Sequence, residues 1–447
     1  MTTLWFETAL TPAGWVAGLR LTLADGRILT AETGEAPQAG DERAAIGLPG
    51  LPNLHSHAFQ RAMAGLAEQP SGGGGDFWGW RAVMYRFVDR LSPDDVETIA
   101  ALAYAEMLEA GFTRVGEFHY LHHDRDGRPY ANRGEMAERL AAAAGRTGIG
   151  LTLLPVLYAH GGVGGAPLES EQCRFGCTVE SFAELHAASR KALAPLADAR
   201  LGVAPHSLRA VTPDELSAVI GLSGTGPIHL HVAEQNAEVE AFAAWSGARP
   251  VEWLLDNAAV DARWCLVHAT HMNPAETARL AESEAVAGLC PITEANLGDG
   301  VFPARAFLAS GGRFGIGSDS NVRIDAAEEL RLLEYGQRLT HRARGLAGSG
   351  ATLFRGAREG GAQALGAPSR GLAAGEAADI VSLDGAHPGL AARSGDALLD
   401  AFVFGAGTSA IDGVWRDGVK VVSAGVHHHR DEIATAYRKA LVRLLAA

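Results

Sequence analysis

The alternation of short apolar runs with longer helical stretches is the feature that most constrains the fold of this 447-residue chain. Eight strand–helix units in succession are typical of a (β/α)8 TIM-like barrel, an α/β fold with parallel strands inside and helices outside. A doubly wound open sheet is the alternative, but the Gly-x-Gly-x-x-Gly loop expected after its first strand is absent. The predicted strands are Ala45–Leu54, Thr113–Phe118, Leu151–Leu157, Leu201–Ala204, Ile228–Val232, Cys265–His268, Ala285–Leu289 and Arg313–Gly317.

The two ends of the chain have a different pattern, which predicts a small β-unit. An apolar stretch from Trp15 to Leu23 leads into Asp25-Gly26, a dipeptide typical of hairpin turns. The region 413–422 repeats the pattern around Asp417-Gly418, and a helix at about 431–445 follows it. We therefore expect strands from both ends to pair outside the barrel.

Potential metal ligands follow several of the predicted barrel strands. In a barrel of this kind the catalytic side chains lie at the carboxyl ends of the strands. The candidates lie at or just beyond the strand ends: His55 and His57 at the first strand, His229, His231 and Glu234 at the fifth, His268 at the sixth, and Asp319 at the eighth. Three imidazoles and one carboxylate suit a divalent ion that keeps a position open for water. Zinc is the first choice, and iron and manganese are alternatives.

The order of His55-x-His57, His231, His268 and Asp319 resembles the amidohydrolase superfamily. The resemblance covers nearly the whole chain, since the β-units at both ends correspond to the split β-sandwich of several branches. It implies a β-sandwich of residues 1–48 and 370–447 around a catalytic barrel of residues 49–369. It also implies four metal ligands: His55, His57, His231 and Asp319.

The scarcity of lysine bears on the number of metal ions. The three lysines of the chain are Lys191, Lys420 and Lys439, and none lies on a predicted barrel strand. Binuclear members of the superfamily bridge two metals with a carboxylated lysine at the end of the fourth strand. Here that region reads Gly-Val-Ala-Pro-His-Ser from Gly202 to Ser207, so we expect a single metal ion.

Glu234 lies three residues beyond His231, a spacing shared with mononuclear deaminases of this superfamily, and this resemblance implies hydrolytic deamination at a C=N carbon. Asp319 is placed either to take a proton from the attacking water, which a divalent ion makes more acidic, or to hold the resulting hydroxide. The resemblance implies that Glu234 transfers a proton to the leaving nitrogen and that His268 polarises the attacked group. His229 and His271 are expected to be outward-facing or structural, without a part in the chemistry.

Arginines near the strand ends indicate an anionic substrate. Arg81, Arg209 and Arg323 are candidates, because a guanidinium group binds a carboxylate through two parallel hydrogen bonds. Four motifs, which begin at Leu51, Gly116, Ala204 and His229, resemble a family of deiminases that convert N-formimidoyl-L-glutamate to N-formyl-L-glutamate and ammonia during histidine degradation. That resemblance implies five substrate contacts: Gln60, Arg81, Tyr120, His206 and Arg209.

Two other functions stay open at this point. One is a different mononuclear deaminase or chlorohydrolase, acting on guanine, an adenosine derivative or a triazine. The other is a catalytically inactive barrel that serves as an assembly scaffold. The glycine-rich stretch from Ser71 to Gly75 is either a mobile lid or a flexible connector.

Composition excludes several classes of protein. The net charge of −14 argues against binding to nucleic acid or to an anionic membrane surface. An apolar run of about 18 residues is absent, and the first residues do not resemble a secretory signal. We therefore expect a cytoplasmic enzyme with four free thiols and a small anionic substrate, and the superfamily branch implies a homodimer.

Overall fold

The computed structural model describes residues 1–68 and 77–446. The stretch 71–75, for which the sequence suggested a lid or a connector, lies outside them. The strands of the described residues are β1 (Thr2–Thr11), β2 (Gly14–Ala24), β3 (Arg27–Glu32), β4 (Glu42–Pro49), β5 (Leu51–Ser56), β6 (Phe112–His119), β7 (Gly150–Leu157), β8 (Arg200–Leu201), β9 (Ala204–Pro205), β10 (Ile228–Val232), β11 (Trp264–His268), β12 (Val286–Leu289), β13 (Arg313–Ile316), β14 (Ile380–Leu383), β15 (Ile411–Arg416), β16 (Val419–Ser423) and β17 (Val426–His427).

The helices surround the barrel and also close the chain at its carboxyl end. They are α1 (Phe77–Val88), α2 (Pro93–Glu109), α3 (Glu135–Thr147), α4 (Val179–Ala192), α5 (Pro213–Leu222), α6 (Asn236–Ser246), α7 (Pro250–Asn257), α8 (Pro274–Glu282), α9 (Pro291–Leu297), α10 (Ala304–Ala309), α11 (Ala326–His341), α12 (Gly350–Ala364), α13 (Asp396–Ala401) and α14 (Arg430–Ala446). None of the helices in the described residues is both long and apolar enough to cross a membrane.

Parallel strands close into a barrel in the order in which they occur along the chain. One half is formed by β5, β6, β7 and the short strands β8 and β9, and the other by β10 to β13. Backbone bridges join the halves, between Val203 and Ile228 on one side and between Ser56 and Asp319 on the other. The predicted (β/α)8 barrel is confirmed.

The first barrel strand is shorter than the sequence indicated. The prediction of one strand over Ala45–Leu54 was wrong, because the chain leaves one sheet and enters another at Gly50. Strand β4 pairs with β1 and β14, whereas β5 pairs with β6. A Cβ atom at Gly50 would lie 2.3 Å from the side chain of Thr113, so only glycine fits at this crossing.

The expected β-unit from both chain ends is present as one sheet of eight strands, in the order β17-β16-β15-β14-β4-β1-β2-β3. Phe6 on β1 and Trp415 on β15 are three strands apart, a separation of roughly 14 Å in a flat sheet. Their ring centroids are nevertheless 6.3 Å apart. The sheet therefore curls around its own apolar core, which also includes Leu19, Leu21 and Ile380.

Local signals set where several helices begin. Ser92 caps α2 through the backbone N–H of Asp95, and Thr212 caps α5 in the same way. Proline occupies the first turn of both helices, where its missing N–H costs nothing. These signals place the barrel helices, which fix the strand ends that carry the candidate site.

Candidate metal centre and active site

Four predicted ligands converge at the carboxyl ends of the first, fifth and eighth barrel strands. His55 Nε2 lies 3.2 Å from His57 Nε2 and 3.1 Å from His231 Nε2. Asp319 Oδ1 lies 3.2 Å from His57 Nε2 and 3.4 Å from His55 Nε2. All four donor atoms are within 4.8 Å of one another, so they can share one ion.

Hydrogen bonds on the far side of two rings fix their orientation. The Nδ1–H of His57 donates to the carbonyl of Phe118 at 2.8 Å, and that of His231 donates to the carbonyl of His206 at 3.1 Å. This leaves the Nε2 lone pairs directed toward the shared centre, as metal-binding histidines require. Burial lowers the pKa of His57 and of His231, which keeps both imidazoles neutral.

The backbone around Asp319 holds the first and eighth strands together. Its N–H donates to the carbonyl of His55 at 3.0 Å, and its carbonyl accepts from the N–H of His57 at 2.9 Å. Burial raises the pKa of the Asp319 carboxyl, but the neighbouring histidines lower it by more. The net result is a pKa well below the usual range of an aspartate. Asp319 and His268 have φ values of 45° and 67°, a strained conformation that is concentrated at functional sites.

Glu234 and His268 form the second part of the site. His268 Nε2 is 3.7 Å from Glu234 Oε1, and His268 Nδ1 is 3.3 Å from Glu294 Oε1. Burial raises the pKa of Glu234 to about 7, so this carboxyl can take up and release a proton near neutral pH. Burial lowers the pKa of His268, but Glu234, Glu294 and Asp319 together raise it above its usual value.

The predicted substrate contacts line the same cavity as the metal and catalytic residues. Gln60 Nε2 donates to the hydroxyl of Tyr120 at 2.7 Å, and Arg209 Nη1 donates to the hydroxyl of Tyr158 at 2.9 Å. Arg81 Nε donates to the hydroxyl of Tyr85 at 2.6 Å. The predicted metal ligands, catalytic residues and substrate contacts that face the cavity are His57, Gln60, Arg81, Tyr120, His206, Arg209, His231, Glu234, His268 and Asp319.

Arg323 is the one candidate arginine that the structure places elsewhere. Its guanidinium group forms ion pairs with Asp325, at 3.1 Å, and with Glu328, and its side chain is 60% exposed. It does not line the cavity that holds Arg81 and Arg209. His229 is structural, as expected, because it is fully buried and bonded to the carbonyl of Ala364.

Several residues of the site were not found from the sequence. Tyr158 directly follows β7 and lines the cavity, a position that strand-end reasoning could have identified. Tyr85 lies on α1 and Gln172 lies in the 3-10 helix Ser170–Gln172. Glu294 belongs to α9 and reaches His268. The last three lie on different elements, and no local spacing connects them.

The geometry is that of a barrel with a His/Asp cluster at its mouth that could hold a divalent metal ion. Residues 46–421 match the model of the amidohydrolase family, and the chain belongs to that family. The His/Asp cluster and the family together indicate a divalent metal. The four cysteines are free, as expected.

The chain is also similar to one particular member of this family. Residues 1–45 match the N-terminal domain of formimidoylglutamate deiminase HutF. The chain is 50% identical to formimidoylglutamate deiminase of Pseudomonas aeruginosa, over 100% of both chains.

Solved structures show the same fold. An amidohydrolase from Brucella melitensis superposes with a TM-score of 0.96 at 53% identity, over 100% of both chains. An adenosine deaminase from Xanthomonas campestris, solved with bound zinc, has a TM-score of 0.81 at 22% identity. That superposition covers 100% of this chain and 99% of the other.

Proposed function

We propose that this chain hydrolyses N-formimidoyl-L-glutamate to N-formyl-L-glutamate and ammonia, a step of histidine degradation. The observation that carries the proposal is the composition of one cavity. A convergent His/Asp cluster, a buried carboxyl and a histidine lie beside Arg81 and Arg209. The first three features suit hydrolysis of an amidine, and two guanidinium groups suit a substrate with two carboxylates. The relative of 50% identity carries the matching name.

His55, His57, His231 and Asp319 would hold one divalent ion, and we propose zinc. Nitrogen and carboxylate donors suit zinc, and a bound ion of this kind supplies Lewis-acid activation of a water molecule. Lys191, Lys420 and Lys439 lie on α4, β16 and α14, so no lysine on a barrel strand is available to bridge a second ion.

In the proposed mechanism three side chains carry out the proton transfers. Asp319 takes a proton from the attacking water, whose oxygen forms a bond to the formimidoyl carbon. His268 donates a hydrogen bond to the group under attack and stabilises the charge that develops there. Glu234 protonates the terminal nitrogen as the C=N double bond opens. It then takes the proton of the new hydroxyl group as the C=O bond forms and passes that proton to the same nitrogen, so that the C–N bond breaks and ammonia leaves. The proton held by Asp319 restores Glu234.

The remaining cavity residues would hold the substrate in place. Arg81 and Arg209 bind its carboxylates, and Gln60, Tyr120 and His206 bind its polar groups near the reacting carbon. The ring of His57 packs edge-on against Tyr120 with centroids 5.1 Å apart, and the ring of His231 packs at a tilt against His206 with centroids 5.0 Å apart. The His/Asp cluster and these substrate contacts therefore form one packed unit. Such packing keeps the reacting carbon at a fixed distance from the catalytic groups.

Ammonia release tests the proposal. The purified chain is incubated with N-formimidoyl-L-glutamate, N-formimidoyl-L-aspartate, guanine, adenosine and a triazine, with and without a chelator. We expect release from the first substrate, loss of activity with chelator, and no release from the heterocycles. Ammonia from guanine or adenosine, or ammonia or chloride from a chlorinated aminotriazine, would instead support a different deaminase or a chlorohydrolase. A well-folded chain inactive on all of them would support the scaffold.

The assembly and the compartment are further proposals. We propose a homodimer in the cytoplasm, as the superfamily branch and the role in amino-acid degradation imply. Light scattering of the purified chain at micromolar concentration should give twice the mass of the 46.7 kDa protomer. A mass equal to the protomer would contradict the dimer.

A further inference from the structure

A buried glutamine connects the two arginine sites of the cavity. Gln172 is fully buried, and its amide nitrogen lies 3.2 Å from the hydroxyl of Tyr85 and 3.1 Å from that of Tyr158. Its amide oxygen accepts the backbone N–H of Glu169 at 2.9 Å. Because that bond requires an acceptor, the NH2 group must face the two tyrosines and donate one hydrogen to each.

Each of these tyrosine hydroxyls accepts a second hydrogen bond, from an arginine. Arg81 Nε donates to Tyr85 at 2.6 Å, and Arg209 Nη1 donates to Tyr158 at 2.9 Å. A phenolic oxygen that accepts two N–H groups can direct its own hydrogen toward neither of them. Both tyrosines line the cavity, so both O–H groups are available to an acceptor on the substrate.

The surroundings hold this bridge in one position. The ring of Phe175 packs against the rings of Tyr85 and Tyr158, with centroids 6.1 and 5.8 Å apart. The fully buried Arg174 donates to the carbonyls of His123, at 3.0 Å, and of Val88. The loop that carries Gln172 is thereby fastened to the end of α1, the helix that carries Tyr85 and Arg81.

We infer that Gln172 is a specificity-determining positioning residue, which fixes the spacing of two Arg–Tyr pairs and so selects substrates with two carboxylates. Each pair offers a charged donor and a neutral O–H donor to one carboxylate, and the amide of Gln172 sets their separation before substrate binds. The inference rests on the proposed function and deepens it, since it predicts a preference for a dicarboxylate over a monocarboxylate.

The test compares the dicarboxylate with two analogues that each lack one carboxylate. The substrates are N-formimidoyl-L-glutamate, 4-(formimidoylamino)butanoate and N-formimidoyl-2-aminobutanoate. Gln172→Met should lower kcat/KM for the dicarboxylate roughly tenfold more than for either analogue, since one hydrogen bond to a charged group is worth about that factor. The loss should lie mainly in KM.

Single hydroxyl deletions provide a second measurement that does not depend on the folding of Gln172→Met. Tyr85→Phe and Tyr158→Phe should each raise KM for the dicarboxylate roughly tenfold. The effect of one should vanish with the first analogue and the effect of the other with the second. Gln337→Met is the matched control, because Gln337 is also buried and hydrogen-bonded but lies outside the cavity, and it should leave the substrate preference unchanged.

Equal losses on all three substrates for the Gln172 and tyrosine variants would overturn the inference, because a merely structural role predicts that result. Unchanged kinetics for these variants would overturn it as well, while leaving the proposed function intact. If the wild-type chain released ammonia from none of the three compounds, the proposed function would fail first and the inference would fail with it.

Discussion

Charged and ionisable side chains are buried at both ends of the barrel, but their partners differ. At the amino ends of the strands, Asp198 accepts from Arg114 and Arg416, and Arg416 also pairs with Asp379 at 2.8 Å. Acid and base alternate there. At the carboxyl ends, His55, His57 and His231 direct three nitrogens at a single point.

The difference separates a structural role from a functional one. Burial raises the pKa of Asp198, but Arg114 and Arg416 lower it more. This carboxylate therefore stays ionised, and the two arginines balance its charge. The mouth instead keeps the imidazoles of His57 and His231 neutral and holds the pKa of Glu234 near 7. Incomplete pairing, rather than burial of charge, therefore marks the reactive end of the barrel.

The largest expected effect lies at the mouth. Glu234→Gln removes the proton carrier but keeps its size, so kcat should fall by about 10³-fold or more. Steady-state ammonia release measures the rate. Metal content and melting temperature serve as controls and should match those of the wild type, and a kcat within tenfold of wild type would exclude the proposed role of Glu234.

The opposite end should respond in stability instead of rate. Asp198→Ala leaves Arg114 buried without its acidic partner, whereas Arg416 keeps Asp379, so the free energy of unfolding should fall by about 3 kcal/mol. Denaturant titration measures this loss, and kcat of the folded variant should stay the same. A large change in kcat with an unchanged free energy of unfolding would contradict the assignment of a structural role to this end of the barrel.

Two arginines then separate the inside of the mouth from its rim. Arg209→Ala should raise KM roughly tenfold to a hundredfold, because a charge-assisted hydrogen bond is worth about 1.5–3 kcal/mol. Arg323→Ala is the matched control, since Arg323 pairs with Asp325 and Glu328 outside the cavity. Similar KM values for both variants would remove Arg209 from the substrate site.

The smallest effect, taken per unit of pH, concerns a buried acid in the barrel wall. Burial raises the pKa of Glu117 to about 8, so the folded state keeps a proton that the unfolded chain loses above pH 4.5. Because only the unfolded state releases this proton between pH 4.5 and pH 8, the free energy of unfolding of the wild type falls as the pH rises through this window. The free energy of unfolding of Glu117→Gln should therefore rise relative to that of the wild type by up to about 1.4 kcal/mol per pH unit in that window. Denaturant titration at several pH values measures this difference. A pH-independent difference would contradict the shift.

Periodicity and strand-end chemistry predicted most of the barrel. Strands and helices alternate along the barrel as predicted, and His57, His231, Glu234, His268 and Asp319 line one cavity. The strand over Ala45–Leu54 was wrong because one apolar run serves two sheets, and only the close approach of Thr113 at Gly50 reveals the crossing. Sequence periodicity carries no record of such a contact.

The polar support of the site was less predictable than its reactive groups. Tyr85, Gln172 and Tyr158 meet across three separate elements, and their hydrogen bonds exist only once the chain has folded. Arg323 illustrates the converse, because an arginine near a strand end can turn to a helix N-terminus, where Asp325 and Glu328 already provide partners. The outcome depends on tertiary packing.

Metal content measured together with activity tests the central claim most directly. Elemental analysis of the purified chain should give about one divalent ion per protomer, and His231→Ala should lose that ion and the release of ammonia from N-formimidoyl-L-glutamate together. Two ions per protomer, or full activity in a chain stripped of metal, would contradict the account.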